Sequence, residues 1–433
     1  MNDRKILMII NEFPPVAESG VQRPLKFLKY LNRLGWHTWV ITPKVLPKKV
    51  LDATLCGEIP PNAMIYRTPS LGLRGTAVYS LEDWRDHISR SVSLPKRLFW
   101  LLLKVLNDAT LPYDKQIGWV PFAYRQAVQL IRRYDIRSVY ITAYPFSSFV
   151  IGLWLKRRFG DKILWVADYR DAWQFEPIIE KKVLPFRRRL IVRMDAEVLS
   201  TADRIVFTTD YIRRRYLQAY PSLAQKSSVI TNGYDEDDFT GIQPRAFDRF
   251  TFLYMGKIYA NNRNPLPLLR VLKQFGDYDF QYIHIGTIGS EIHNQIRREC
   301  GGIYDFQGYK THAEALSHAL GADVNVIIIN DDEESTGVFS GKLFELLRAG
   351  KPILALGPQQ SIIRDMLEQT HTGIYVWLED TKSLAQALQL LLNKEFVPNP
   401  DLSVIQTYSR QKTAEALSRL LTGNRSGEGN SQA

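Results

Sequence analysis

The segment Ser335–Pro358, STGVFSGKLFELLRAGKPILALGP, decides the fold because it places a loop, a helix and a strand in the order of an open α/β sheet. The apolar run at 323–329 (DVNVIII) precedes it and predicts a buried strand. A loop containing Gly and Ser follows, and then a helix from Lys342 to Ala349, a C-cap at Gly350 and a second apolar strand. This alternation is typical of a doubly wound parallel sheet.

The loop of this segment has the composition of a phosphate-binding loop. Ser340 and Gly341 stand at the helix start, where glycine lets the main chain approach a ligand and the helix end carries partial positive charge. Lys342 and Glu345 are three residues apart and share a helix face. Since a cation suits a phosphate and a carboxylate suits a ribose diol, the four residues predict a nucleotide site. Ordinary α/β structure with a solvated helix face would give the same local pattern.

The composition describes a globular protein of about two domains. The chain has 433 residues, of which 45% are hydrophobic and 23% are charged. Its two cysteines provide no disulfide framework and fit a reducing compartment. The first apolar run is too short for a signal peptide, and no apolar stretch reaches the ~20 residues of a membrane-spanning helix. We therefore expect a cytoplasmic protein.

The formal charge of +11 indicates anionic partners. Nucleic acid is the least supported of them, because no recognisable binding module is present. The densest mixture of basic and apolar residues is KKVLPFRRRLIVRMD, at 181–195. It fits a solvated face and peripheral contact with the anionic inner face of the cell membrane equally well. Its basic residues are Lys181, Lys182, Arg187, Arg188, Arg189 and Arg193. A second basic, aromatic helix is predicted within 93–108, either buried under an insertion or lying on a membrane.

Charged residues follow the predicted strand at 162–167 (KILWVA) directly. They include Asp168, Arg170 and Asp171, at the edge of the sheet where ligands bind. Two carboxylates and an arginine at this edge could form a network that satisfies itself. They could instead orient a sugar hydroxyl and activate an acceptor.

Strands and helices alternate in both halves of the chain, which argues for two doubly wound domains. The Asn-Gly turn at 232–233 and the acidic stretch after it mark the exit from the first domain. We predict an N-terminal acceptor-side domain, a C-terminal nucleotide-sugar domain, a C-terminal helix packing toward the first domain and a disordered tail. The predicted ranges are 1–235, 236–400, 401–422 and 423–433.

Five separated pieces of sequence resemble the family 4 glycosyltransferases with the GT-B fold. In chain order they are PPVAESGVQR, VADYRDAW, VITNGYDEDDF, LYMGKIYANNRNP and SGKLFELLRAGKPILA. The resemblance covers essentially the whole chain before the tail, and its last two pieces are the most diagnostic. It implies an α/β fold of two doubly wound Rossmann-like domains facing across a cleft, with a C-terminal helix that crosses back to the first domain.

The resemblance also implies roles for matching residues. Gly256 ends the first strand of the second half, and Lys257 with Arg263 resembles the basic pair that holds the donor diphosphate. Glu345 matches the second Glu of the family's E-x7-E motif, which accepts from both ribose hydroxyls. Gly20 matches the glycine of the first loop and is expected on the donor side.

The chain departs from the family pattern at the first Glu of that motif. Gly337 stands at its position, which puts the donor-sugar contact in doubt more than the fold. The acidic residues that could substitute for it after a rearrangement of the loop are Asp332, Glu333 and Glu334.

The resemblance implies a retaining glycosyltransferase. We expect it to move a sugar from a nucleoside-diphosphate-sugar donor to a hydroxyl of a lipid-linked or growing glycan, in surface polysaccharide biosynthesis. Lys257 and Arg263 would assist the leaving group, with Asp171 and Arg170 on the acceptor or sugar side. No cofactor and no metal are required. A nucleoside-diphosphate-sugar 2-epimerase and a non-catalytic GT-B scaffold that binds sugar nucleotides remain the alternatives.

Overall fold

The computed structural model describes residues 4–18, 20–44, 51–71, 114, 116–176, 183–258, 263–331 and 333–422. These residues form two compact units. Unit 1 comprises Met1–Ile230 with Ala414–Ala433, and unit 2 comprises Thr231–Thr413. The predicted helix at 93–108, the basic residues Lys181 and Lys182, and the predicted tail at 423–433 lie outside the described residues.

Unit 1 is built on a parallel sheet of seven strands in the order β3-β2-β1-β4-β5-β6-β7. Its central strands are apolar and buried, as expected where helices cover both faces of a parallel sheet. The strands are β1 Lys5–Ile9, β2 His37–Pro43, β3 Met64–Thr68, β4 Ser138–Ala143, β5 Leu164–Tyr169, β6 Arg204–Phe207 and β7 Ser227–Val229.

Among the described residues of the N-terminal part, five helices pack on this sheet. They are α1 Gln22–Arg33, α2 Val120–Tyr134, α3 Ser148–Phe159, α4 Pro185–Thr201 and α5 Asp210–Ala219. The end of the chain completes the core of unit 1, because Ala414, Leu417 and Leu421 are buried with the apolar face of α1. The Trp36 indole N–H donates to Ser418 Oγ at 2.9 Å and fixes this returning segment.

Unit 2 is built on a parallel sheet of six strands in the order β10-β9-β8-β11-β12-β13. Counted from its own first strand, this is the 3-2-1-4-5-6 order of a doubly wound nucleotide-binding sheet. The strands are β8 Phe250–Ile258, β9 Phe280–Ile288, β10 Tyr304–Gly308, β11 Val324–Ile328, β12 Ile353–Gly357 and β13 Gly373–Trp377.

The helices from residue 266 onward surround the second sheet and lead out of it. They are α6 Leu266–Leu272, α7 Ser290–Cys300, α8 His312–Gly321, α9 Leu343–Ala349, α10 Ile362–Thr370, α11 Thr381–Leu392, α12 Leu402–Thr407 and α13 Arg410–Leu421. Helix α13 begins in unit 2 and ends in unit 1. Across the part of the chain that the structure describes, no helix has both the length and the apolar character needed to cross a membrane.

The predicted α/β class with two doubly wound sheets is confirmed. Two strands extend beyond their runs of apolar residues. Strand β5 includes Asp168, in register with Thr142, and β8 includes Gly256 and Lys257, in register with β9. Pairing with a neighbouring strand holds these polar residues in the sheet. Strand β3 was not predicted, because its sequence MIYRT shows no strong alternation of apolar and polar residues.

Candidate functional site

The strand order of unit 2 reverses between the adjacent strands β8 and β11. In open α/β sheets, ligands bind at such a switch point, outside the carboxyl ends of the strands. Lys257 is exposed near the end of β8, and the exposed Arg263 follows in the next loop. The backbone N–H of Arg263 donates to Asn330 Oδ1 at 3.0 Å, two residues beyond the end of β11. This bond joins the two loops, so the predicted basic pair lies at the switch point.

The backbone in front of Lys257 is fixed from two sides. The carbonyl of Gly256 accepts a hydrogen bond from His284 Nε2 at 2.9 Å, while His284 Nδ1 lies 2.8 Å from the Tyr304 hydroxyl. Burial lowers the pKa of His284 to about 4, so the ring is neutral at physiological pH. Gly286 has a φ of 143°, and a Cβ there would collide with the Gly256 carbonyl. Only glycine allows this close approach of β9 to β8.

Glu345 lies in the first turn of α9 and contacts two basic side chains. Its Oε1 is 3.1 Å from His312 Nε2, and its Oε2 is 3.5 Å from Lys342 Nζ. The side chain is 16% exposed, so it can be reached from solvent. Burial would raise the pKa of Glu345, but Lys342 and His312 outweigh burial and lower that pKa to about 2. The carboxylate is therefore ionised and available as an acceptor.

His312 is the site residue that sequence reasoning missed. It is the first residue of α8, whose start is fixed by a capping box between Thr311 and Glu314. Its Nδ1 lies 3.9 Å from Asp238 Oδ2, on the side opposite Glu345. The hydrogen bond to Glu345 raises the pKa of His312 despite burial, with Lys342 opposing and Asp238 assisting. The capping box was a visible signal for the helix start, but nothing in the spacing of the histidines linked this ring to Glu345.

Helix α9 is held in place by contacts within unit 2. Arg348 Nε donates to both carboxylate oxygens of Glu236 at 2.8 and 3.0 Å, and the Phe344 ring packs on Tyr408 at 5.4 Å between centroids. In the loop before the helix, Ser340 Oγ accepts from the backbone N–H of Lys342 at 3.4 Å. A Cβ on Gly341 would meet nothing within 4 Å, so this glycine faces open space.

The corresponding edge of unit 1 is dominated by a buried ion pair. Arg23 donates to both oxygens of Asp168, from Nε at 3.0 Å and from a terminal nitrogen at 2.8 Å. The Tyr140 and Thr142 hydroxyls also donate to Asp168, at 2.5 and 2.9 Å. Burial opposes ionisation of Asp168, but Arg23 and these hydroxyls outweigh it and lower the pKa of the carboxyl. Asp168 therefore belongs to a self-satisfied network.

Arg170 follows β5 and is bound mainly to its own unit. Its guanidinium donates to the carbonyls of Ala143 and Tyr144, and it lies 3.6 Å from the Glu12 carboxylate. Gly20 is buried against this Glu12–Arg170 pair. The two side chains occupy the space that a Cβ on Gly20 would need. The structure thus gives Gly20 and Arg170 packing roles in unit 1, and their predicted contacts with donor or acceptor stay predictions.

Asp171 is the exposed carboxylate beside this pair. Desolvation by the surrounding protein atoms raises its pKa; Arg170 lowers that pKa and Asp168 adds to the rise. A raised pKa makes this carboxylate a better proton acceptor than an ordinary aspartate.

The structure groups the predicted residues by unit. Unit 2 brings Lys342 and Glu345 into contact and places Lys257, Arg263 and Gly256 at the same carboxyl edge of the sheet. Gly337 is buried. Substitution for it by an acidic neighbour stays a prediction, because Asp332 and the side chains of residues 333 and 334 lie outside the described residues.

Two doubly wound units, the second with a carboxylate and basic residues at its switch point, define the GT-B class of fold. The lipopolysaccharide outer core galactosyltransferase WaaB is similar over 96% of this chain and 99% of its own, with a TM-score of 0.59 and 14% identity. A glycosyltransferase from Rickettsia africae ESF-5 is similar over 98% and 94%, with a TM-score of 0.57 and 14% identity. Anabaena Alr3699/HepE, solved in complex with UDP, is similar over 96% and 95%, with a TM-score of 0.54 and 14% identity.

The sequence comparison agrees with the structural one. Residues 25–238 match the model of Glycosyltransferase Family 4. No curated protein matches the chain. The chain therefore has the GT-B fold, and its residues 25–238 resemble the family 4 glycosyltransferases.

Proposed function

We propose that this protein transfers a sugar from a nucleoside-diphosphate-sugar donor to a hydroxyl of a lipid-linked or growing glycan, with retention of configuration, in surface polysaccharide biosynthesis. Unit 2 binds the nucleotide and unit 1 contributes to acceptor binding. The similar HepE protein binds UDP and the similar WaaB protein is a galactosyltransferase, which supports this class of donor and reaction.

One observation carries the proposal. Glu345 is ionised and accessible, and it lies at the same carboxyl edge of the unit 2 sheet as Lys257 and Arg263. A ribose diol donates two hydrogen bonds, which a carboxylate accepts, and a diphosphate is met by two cations. These complementary groups are arranged around the switch point where nucleotides bind such sheets.

The proposed chemistry needs no protein nucleophile. The bond between the anomeric carbon and the diphosphate oxygen breaks, and a bond from that carbon to the acceptor oxygen forms on the same face. The acceptor proton passes to an oxygen of the departing phosphate. Lys257 and Arg263 stabilise the charge that develops on the leaving diphosphate, an effect on the order of a few kcal/mol.

On the acceptor side, Asp171 is the stronger candidate. Arg170 is engaged with backbone carbonyls, whereas Asp171 is exposed and has a raised pKa. Asp171 accepts a hydrogen bond from the acceptor hydroxyl and orients it. Arg170 acts by holding the loop in which Asp171 lies.

A thermal-shift panel with UDP, GDP, ADP and their sugars tests donor binding. We expect one base to raise the melting temperature, and Glu345→Gln to weaken that binding by about tenfold to a hundredfold, as loss of charge-assisted hydrogen bonds predicts. Glu368→Gln removes an exposed carboxylate of the same unit and serves as the matched control. Incubation of the selected donor without acceptor should give no epimer. Formation of an epimer, or indifference to every nucleotide, would contradict the proposal.

We further infer that helix α4 contacts an anionic membrane surface. Phe186 and Leu190 lie four residues apart on one helix face and are 53% and 36% exposed, and Leu184 at the helix start is 51% exposed. Arg188 and Arg189 are exposed among them. Apolar side chains that insert between lipids and arginines that meet phosphates are the combination such a surface requires.

Flotation with vesicles of phosphatidylcholine and phosphatidylglycerol tests this contact. The wild-type protein should float with the vesicles, and Arg188→Glu with Arg189→Glu should abolish flotation. Arg132→Glu with Arg133→Glu makes the same charge change at an exposed pair on α2 and should leave flotation largely intact. Equal flotation of the wild type and the α4 variant would remove the membrane contact.

A further inference from the structure

His312 lies between two carboxylates of unit 2. Its Nε2 is 3.1 Å from Glu345 Oε1, and its Nδ1 is 3.9 Å from Asp238 Oδ2. Lys342 is the third charged group that faces the cluster, through its contact with the other oxygen of Glu345. The three elements that meet here are the start of α8, the start of α9 and the short 3₁₀ helix Glu236–Phe239.

We propose that His312 is a positioning residue for nucleotide binding, which orients the Glu345 carboxylate toward a ribose diol and makes donor affinity depend on the protonation of the imidazole. The inference rests on the proposed nucleotide site. It adds a residue that acts through Glu345 and that no motif of the sequence indicates.

The geometry explains how the orientation is set. A glutamate side chain has three rotatable bonds, and fixing it costs conformational entropy at the moment of binding unless partners fix it beforehand. His312 and Lys342 each contact a different oxygen of Glu345, so the plane of the carboxylate is held before a ligand arrives. Each oxygen keeps a further lone pair, and these can accept from the two ribose hydroxyls.

Protonation of His312 changes this arrangement. The doubly protonated ring donates from Nε2 to Glu345 and places its positive charge 3.9 Å from Asp238. The neutral ring loses this charge, and in one of its two tautomers Nε2 has no proton to donate to Glu345. Contact with Glu345 raises the pKa of His312. The protonated ring that holds Glu345 is therefore fully present below about pH 6.5 and is lost as the pH rises through the raised pKa.

The experiment compares ligands with and without the diol. The tightest binder among UDP-glucose, GDP-glucose and ADP-glucose is measured by calorimetry beside its 2′,3′-dideoxy analogue. These sugar diphosphates have no phosphate that titrates near neutrality, so their pH dependence reports on the protein. His312→Ala should weaken the ribose ligand by about tenfold and the dideoxy ligand by less than about twofold, the size expected when one hydrogen-bonded support is lost.

Two further measurements distinguish positioning from a general structural role. The amide of Gln can replace the Nε2 donor without a charge, so His312→Gln should recover most of the affinity and remove the pH dependence between about pH 5.5 and about pH 8.5. The affinity of the wild-type protein for the ribose ligand should fall as the pH rises across the same range. His37→Ala, at an exposed histidine of unit 1, should change neither quantity.

The outcomes distinguish a failure of the positioning role of His312 from a failure of the proposed nucleotide site. Equal weakening of the ribose and dideoxy ligands by His312→Ala, or an unchanged pH profile in His312→Gln, overturns the positioning role while the nucleotide site stands. Absence of binding by all three sugar nucleotides to the wild-type protein overturns the proposed function, and the positioning role with it.

Discussion

Each unit places a carboxylate toward the carboxyl edge of its sheet, yet the two carboxylates differ in access. Asp168 at the end of β5 is fully buried and receives four hydrogen bonds from Arg23, Tyr140 and Thr142. Glu345, beyond β11, is partly exposed and has two partners, His312 and Lys342, one on each oxygen. A carboxylate whose acceptor sites are filled stabilises the fold, whereas one with remaining acceptor sites can bind a ligand.

The cations of the two edges show the same contrast. Arg170 is engaged with two backbone carbonyls and with Glu12. Lys257 and Arg263 are exposed at the edge of unit 2. Among these residues, accessibility therefore distinguishes the charged groups at the edge of unit 2 from those at the edge of unit 1 better than residue type does.

The largest effect should come from breaking the buried pair of unit 1. Asp168→Asn removes the carboxylate charge that faces the buried Arg23 guanidinium, and we expect a loss of about 3–5 kcal/mol in the free energy of unfolding. Urea denaturation measures the loss. Asp171→Asn, three residues on, is the matched control, and at an exposed site it should change stability by less than about 0.5 kcal/mol. A loss of similar size in both variants would contradict the assignment of Asp168 to a structural network.

The sheets could be predicted from the sequence because their strands are apolar, β-branched runs separated by helical periodicity. The run DVNVIII before the loop is an example, and it forms β11 within one residue of its predicted bounds at either end. The signal failed where strand character was supplied by pairing, as in β3 and in the polar end of β5.

The partners of the site residues could not be predicted in the same way. Arg23 and Asp168 are 145 residues apart in the sequence, and His312 and Glu345 are 33 apart. Local spacing reports only on neighbours along one helix or strand, such as Lys342 and Glu345. Contacts between separate helices or strands are set by tertiary packing. Local spacing therefore does not indicate the contact of His312 with Glu345.

The next largest effect should come from the exposed cations of unit 2. Lys257→Ala and Arg263→Ala should each lower kcat/KM by about ten- to a hundredfold through weaker stabilisation of the leaving diphosphate. Because both side chains are exposed, the free energy of unfolding should stay within about 0.5 kcal/mol of the wild-type value. Lys382→Ala, an exposed lysine of the same unit, is the control. Wild-type kinetics in both variants would contradict the proposal that Lys257 and Arg263 stabilise the leaving diphosphate.

The smallest and most local test compares two glycines of unit 2. A Cβ on Gly286 would collide with the carbonyl of Gly256, so Gly286→Ala should push the end of β8 outward and cost about 1–3 kcal/mol of stability. Displacement of Gly256 moves Lys257, and donor affinity should fall with stability. A Cβ on Gly341 meets open space, so Gly341→Ala should leave stability nearly unchanged.

The donor affinity of Gly341→Ala then decides what that open space is for. If the backbone at Gly341 lies against the phosphates, a methyl group there must weaken donor binding although the protein remains as stable as before. Calorimetric titration of both variants with the selected sugar nucleotide gives the answer. Weaker binding in Gly341→Ala without loss of stability would place the phosphates at the start of α9. Unchanged binding would restrict the proposed diphosphate contacts to the end of β8 and the loop after it.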